Sequence, residues 1–203
     1  LTEKYNVLQA ALASSERIFK LIDEKEEKEG IKEKEKFEKE IEFRNVWFSY
    51  DNKEYVLKNI NLKIKKGEKV AFVGITGAGK TSLINLLLGF YETSKGEILI
   101  DGENISSLKK RSLRKLFALV PQDLFLFNDT ILENIRMMDP KISEDKVKTS
   151  AKIVMADKFI ENFEEGYNKV VGERGNFLSV GQKQLISFAR ALAFDKDIII
   201  LDE

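Results

Sequence analysis

The stretch Gly74-Ile75-Thr76-Gly77-Ala78-Gly79-Lys80-Thr81 constrains this chain more than any other. It reads G-x-x-x-x-G-K-T, between a short apolar run, Val70-Ala71-Phe72-Val73, and a helical pattern that starts at Ser82. Strand, loop and helix is the context a phosphate-binding loop requires. Glycine lets the backbone turn tightly, so that successive N–H groups point inward, and a helix start adds its positive end. Together they make an anion cradle. Lys80 brings a point charge for the outer phosphates, and Thr81 a hydroxyl for Mg²⁺. The candidate phosphate ligands are Gly74, Ile75, Thr76, Gly77, Ala78, Gly79, Lys80, Thr81 and Ser82. The alternative is a glycine-rich turn that matches by chance.

Composition narrows the chemistry around that loop. The chain has 203 residues, enough for one large domain or a domain with an appendage. It holds 34 Lys+Arg and 34 Asp+Glu, so its charge points to no nucleic-acid partner. There is no cysteine and no histidine, which removes disulfides, thiol metal sites and the commonest general base. Acid–base work falls to carboxylates, Lys or Tyr. No apolar run is long enough to span a membrane and no signal peptide is present, so the cytoplasm is the default compartment.

Residues 2–22 carry apolar side chains at helical spacing: Tyr5, Leu8, Leu12, Ile18, Phe19 and Ile22. Two readings stand: a surface helix docked on its own domain, or the end of something upstream, since the pattern starts without a cap. From Asp23 to Glu40 the chain is nearly all Lys and Glu of alternating sign, the composition of a linker or solvated helix.

From residue 41 onward the pattern predicts an α/β fold. Ile41, Phe43, Val46 and Phe48 suggest a strand whose alternation breaks at Asn45. A second strand lies over 56–64, and together they form an antiparallel portion. Asp51-Asn52-Lys53 is a turn. Further strands are predicted at 97–100 and 118–120, helices near 113–117 and across 131–165, and a helix from about Ser179 to Phe194. Ile198-Ile199-Ile200-Leu201 reads as a buried parallel strand. It ends in Asp202-Glu203, at the sheet edge where the phosphate loop also lies. Asp202 can hold the Mg²⁺ shell and Glu203 can reach an attacking water. The alternative is an ordinary acidic turn. Ser179 in Leu178-Ser179-Val180-Gly181-Gln182 is a good N-cap, or with Gly181 a second anion-binding helix start.

Four signals in order, G-I-T-G-A-G-K-T, V-P-Q-D, L-S-V-G-Q-K-Q and I-I-I-L-D-E, make residues 41–203 resemble the nucleotide-binding domain of an ABC transporter. The resemblance implies a P-loop NTPase core with a mostly parallel sheet, an N-terminal antiparallel β subdomain, and a helical subdomain carrying the signature motif. It implies ATP and Mg²⁺ as cofactors. Residues 74–81 match Walker A and 198–203 match Walker B. Gln122 matches the glutamine that senses Mg²⁺ and water at the contact with the membrane domain. Tyr50 matches the aromatic that stacks on adenine. Ser179, Gly181 and Gln182 match the signature, which in the family completes the ATP site of the opposite subunit. The implied catalytic residues are Glu203, Lys80 and Gln122; the implied Mg²⁺ shell is Thr81, Gln122 and Asp202.

Val171-Gly172-Glu173-Arg174-Gly175 and the arm Ala13–Phe19 resemble the exporter branch. They imply a helical extension over 1–24 from the last transmembrane helix, a charged linker over 25–40, and an ATPase domain over 41–203. The implied partners are a second nucleotide-binding domain and transmembrane domains of the same polypeptide, at the cytoplasmic face of a membrane. Two departures stand out. Val180 replaces a usual glycine, and the family's D-loop and switch histidine do not follow Glu203, so the domain is expected to be incomplete at its C-terminus. A soluble ABC protein of DNA repair or translation is the first alternative; it would carry long coiled coils between Walker A and the signature, where none is patterned. An importer ATPase, the second, would lack the arm. The transported substrate is not readable from these residues.

Overall fold

The computed structural model describes residues 2–24, 27, 29–51, 53–172 and 175–202. Helix α1 spans Thr2–Ile22, uninterrupted by Pro or Gly. Every side chain from Lys4 through Glu24 is exposed, including the stripe of Tyr5, Leu8, Leu12, Ile18, Phe19 and Ile22. The helix is therefore not docked on the domain that follows it.

Residues 29–39 form an extended strap rather than a helix. The Lys32 N–H donates to Ser107 O at 3.0 Å, and Lys32 O accepts from the Lys109 N–H at 2.8 Å. The Lys34 N–H donates to Ser112 Oγ at 2.6 Å. Asp101 then takes the N–H groups of Glu38, Lys39 and Glu40 at 2.9, 2.7 and 2.9 Å. The Lys34 ammonium lies 3.0 Å from the same carboxylate. Gly30 is required here, since an added Cβ would lie 2.3 Å from the Ser107 carbonyl carbon.

Strands β1 (Glu40–Phe48) and β2 (Leu57–Lys65) pair antiparallel, with Ile41 opposite Ile64 and Phe43 opposite Leu62. β1 slips register around Asn45, which takes φ 49°, as the broken alternation predicts. On its other edge β1 pairs antiparallel with β3 (Lys95–Ile100), which pairs with β4 (Glu103–Asn104). Between β2 and β3 lies α2 (Lys80–Leu87). The inner face of this sheet, α2 and Phe37 of the strap close one core around Phe43, Leu86, Ile98 and Ile100.

Helix α3 (Lys110–Lys115) leads into β5 (Phe117–Val120). β5 pairs parallel with β6 (Ile198–Leu201), from Phe117 opposite Ile198 to Val120 opposite Leu201. The intervening residues build a helical subdomain: α4 (Ile131–Arg136), α5 (Glu144–Ile153), α6 (Asp157–Ile160) and α7 (Val180–Ala193). Thr130, Ser143 and Ser179 cap α4, α5 and α7 through their hydroxyls. A second core, with Ile131, Ile135, Val147, Ile160 and Ile186, lies inside it. Ala191 and Phe188 of α7 pack against Ala118 and Val120 of β5, which joins the two bodies.

Two expectations need correction. The sheet is not mostly parallel: among the described residues parallel pairing between strands is confined to β5 and β6. Val70–Val73, expected as a strand, carries no ladder. Val73 is 96% exposed and Ile75 85%, so no second layer covers this run and the burial that fixes strand register is missing. For the same reason β6, expected as a buried strand, is half-buried on one face and exposed on the other. Ile198 and Ile200 pack on the first core, while Ile199 and Leu201 are exposed.

Candidate nucleotide site

The loop adopts the backbone its glycines permit. Gly77 and Gly79 take φ 85° and 87°, in the left-handed region that penalises a side chain. At Gly79 a Cβ would also sit 2.7 Å from Leu57 Cδ2, so this turn is pressed onto β2. Gly79 begins α2 without a side-chain cap. As in α3 and α6, no side chain takes up the N–H groups that open α2. The Lys80 ammonium folds back over the loop, donating to Gly74 O at 2.8 Å and Ile75 O at 3.2 Å. A positive charge and uncapped donors therefore share one turn.

Thr81, the second residue of α2, donates its hydroxyl to Asp202 Oδ1 at 3.3 Å. Asp202 is carried there by β6, and its own N–H is fixed on Val120 O at 3.0 Å. Because β5 and β6 run parallel and end in step, Pro121-Gln122 leaves the sheet beside Asp202. Gln122 and Asp202 line one cleft of about 300 Å³, together with Val120, Gln184, Phe188 and Leu201. The structure thus brings Thr81 to Asp202, and Asp202 to Gln122, at the carboxyl end of the parallel pair, where α/β folds place ligand sites. Glu203 lies outside the described residues, as do Glu173 and Arg174 of the exporter-like segment.

Thr81 and Asp202 offer a hydroxyl and a carboxylate oxygen, hard donors of the kind Mg²⁺ accepts. No group of three or more His, Cys, Asp or Glu able to hold a metal occurs among the described residues.

Tyr50 is exposed, and its hydroxyl lies 2.9 Å from the Ser82 hydroxyl on α2. This bond anchors the ring beside the loop. Tyr91, which the sequence patterns do not single out, meets Tyr50 edge-on at 5.0 Å, and Phe48 meets it at 4.7 Å. The only hint of Tyr91 in the sequence is an aromatic pair, Phe90-Tyr91, just after the helix that follows the loop.

Ser179, Gly181 and Gln182 stand elsewhere. Ser179 Oγ accepts from the Gln182 N–H at 3.2 Å and Gln182 Oε1 accepts from the Ser179 N–H at 2.9 Å, a complete capping box. Val180 is helical and 71% exposed, so this turn does not require glycine there. Phe188 lines the Asp202 cleft. Gln184 of the same helix lines it too, and Ser179 is five residues before Gln184, about 7 Å along the axis.

The segment between Gln122 and α4 is clamped by two residues with no obvious motif. Buried Asn134 accepts from the Phe127 N–H at 2.8 Å and donates to Phe127 O and Thr130 O, both at 3.0 Å. Arg190 of α7 donates to Asn134 O at 2.9 Å and to Phe125 O at 3.3 Å. Burial lowers the Arg190 pKa from its ordinary value, because desolvation disfavours the charged form.

A phosphate loop beside an acidic strand end, with a helical subdomain packed on the same strand pair, defines a P-loop nucleotide-binding fold. Residues 57–203 match the family model described as ABC transporter. The chain belongs to the ABC transporter family. It is 47% identical, over its whole length, to an uncharacterised ABC transporter ATP-binding protein, YknV, of Bacillus subtilis, and covers 34% of that protein. It is 43% identical over its whole length to an ATP-dependent lipid A-core flippase of Syntrophus aciditrophicus, again covering 34%. Among solved structures it resembles a bacterial Atm1-family ABC exporter with ATP bound. That match has a TM-score of 0.84 and 36% identity, covering 98% of this chain and 36% of the other. The chain spans about a third of the length of the curated relatives it matches.

Proposed function

We propose that this chain binds and hydrolyses Mg·ATP in a head-to-tail dimer of nucleotide-binding domains and so powers export by an ABC exporter. The observation that carries the reading is the convergence of Thr81, Asp202 and Gln122 beside the phosphate loop. The uncapped N–H groups of α2 and the Lys80 ammonium bind the phosphates. Lys80 exchanges its bonds to Gly74 O and Ile75 O for phosphate oxygens. Tyr50 stacks on adenine. Thr81 and Asp202, with Gln122, hold Mg²⁺, which when bound neutralises charge developing on the phosphoryl oxygens. Glu203 orients and deprotonates the attacking water, the role left to a carboxylate in a chain without histidine. Most of the acceleration comes from positioning and fixed charge.

The capping box leaves the Ser179 hydroxyl hydrogen free of the N–H it caps, and the exposed α7 start is a second anion site. The exposure of Ser179, Val180 and Gly181 supports closure over the γ-phosphate of a partner domain. The uncovered apolar stripe of α1 supports the arm as a continuation of a transmembrane helix in the same polypeptide. The domain would then work at the cytoplasmic face of the membrane. The exporter relatives support the direction of transport; a role on nucleic acid has no matching charge. Steady-state turnover of the full-length protein tests the reading. Glu203→Gln should abolish hydrolysis while ATP still binds; turnover near wild type refutes the assignment.

A further inference from the structure

Three segments meet at Phe37, on the strap between α1 and the domain. The Phe37 N–H donates to Asp197 Oδ2 at 3.0 Å. Phe37 O accepts from the Lys66 ammonium at 2.6 Å, and that ammonium lies 3.8 Å from Asp197 Oδ1. The Phe37 ring is buried in the first core, against which Ile198 and Ile200 of β6 also pack. Asp197 immediately precedes β6, whose far end delivers Asp202 to Thr81. Lys66 opens the turn after β2, ahead of the run into the phosphate loop.

We propose that Asp197 is a positioning residue. With Lys66 it clamps Phe37 so that the strap, the foot of β6 and the turn ahead of the phosphate loop move as one unit. A displacement of the strap then reaches Asp202 and Thr81. The physical case rests on stiffness. β6 is about 13 Å long and paired with β5 at every residue, and Asp202 is bonded to Val120 beyond it. A pull at its foot cannot be absorbed inside the strand without breaking ladder bonds, so it is passed to the other end. The carboxylate is the group this junction needs. The Phe37 N–H faces no strand, and a charge-assisted bond holds it more firmly than a neutral acceptor does.

A second tether leads to the same loop from behind. Glu27 lies 3.2 Å from Arg114 and 3.8 Å from Lys110. Arg114 donates to Leu88 O at 3.2 Å and Gly89 O at 3.3 Å, and Lys110 donates to Gly89 O at 3.0 Å. These are carbonyls at the end of α2, the helix whose start forms the anion cradle. Glu27, ahead of the strap, is thus tied to the end of the phosphate-loop helix.

The proposal rests on reading Thr81 and Asp202 as the nucleotide site. Its test begins without nucleotide, so that the two can fail separately. Hydrogen exchange of the full-length protein is followed in peptides covering 198–202 and 81–88, with peptides covering 37–40 as the strap reporter. Asp197→Ala should speed exchange in both site peptides about fivefold, the loss of one net hydrogen bond. Asp197→Asn keeps an acceptor for Phe37 and should restore most of the protection. Asp101→Ala releases the strap at a place unconnected to the site, so it should speed exchange at 37–40 and leave 198–202 and 81–88 unchanged. Site peptides unmoved by Asp197→Ala, or moved equally by Asp101→Ala, overturn the proposal. Mg·ATP is added last: a wild-type protein that fails to bind it refutes the nucleotide reading, while the exchange pattern still decides the role of Asp197.

Discussion

Thr81 and Asp202 stand 121 residues apart in sequence, yet their side chains meet at 3.3 Å. One belongs to the helix that follows the glycine loop, the other to the end of a parallel strand. The Mg²⁺ subsite proposed for this hydroxyl and carboxylate requires α2 and β6 both to be seated. Thr81→Val removes one oxygen donor and keeps the shape. It should weaken ATP binding in the presence of Mg²⁺ and leave Mg²⁺-free binding unchanged in calorimetry. Equal losses under both conditions would show that Thr81 serves the fold rather than the cation.

Gly77 and Gly79 make a matched pair. Both hold φ near the left-handed region, but an added Cβ meets nothing within 4 Å at Gly77 and Leu57 at 2.7 Å at Gly79. Gly77→Ala should cost about 1–2 kcal/mol of backbone strain. Gly79→Ala adds a clash and should cost more, since overpacking alone typically costs ~1–3 kcal/mol. Urea denaturation of the two variants measures the order, and equal losses would deny that the loop is pressed onto β2.

The Tyr50 ring and hydroxyl have separable jobs. Tyr50→Ala should weaken ATP binding by roughly 1–3 kcal/mol, the range for base–aromatic stacking. Tyr50→Phe keeps the ring and loses only the bond to Ser82, so its affinity should fall much less. If Tyr50→Ala binds ATP as the wild type does, the ring does not carry the adenine.

Acid should loosen the strap. Burial of Asp101 opposes its ionisation, but the N–H groups of Glu38, Glu40 and Lys39 and the Lys34 ammonium outweigh burial and lower its pKa. A carboxyl with a depressed folded pKa contributes stability above its unfolded value, near ~3.9, and loses it as pH falls through the folded value. Wild type should therefore exceed Asp101→Asn in urea stability at pH 7, and the gap should close as pH falls below the ordinary Asp range. A gap independent of pH would mean that the Asp101 charge contributes nothing.

Legibility followed the range of the interactions. Gly74–Thr81 and Ser179 were readable because loop conformation and capping are local properties of consecutive residues. The β1–β2 pair was readable for the same reason, down to the break at Asn45. The Thr81–Asp202 meeting followed from placing two motifs at one sheet edge. The strap was not readable. Its bonds are backbone N–H groups seeking Asp101, Ser112 and Asp197, and a Lys/Glu sequence looks alike whether docked or solvated. Asn134 and Arg190 were missed because each serves backbone carbonyls or N–H groups, which leave no residue-type signature. Val70–Val73 was misread because apolar content predicts a strand, whereas a ladder needs a covered neighbour.

Gly74–Thr81 is proposed to bind ATP with Mg²⁺. Calorimetric titration of Mg·ATP into wild type and Lys80→Ala measures it most directly. Saturable binding by the wild type, strongly weakened when the Lys80 ammonium is removed, is the predicted result. Unchanged affinity in Lys80→Ala, or no binding by the wild type, would contradict it.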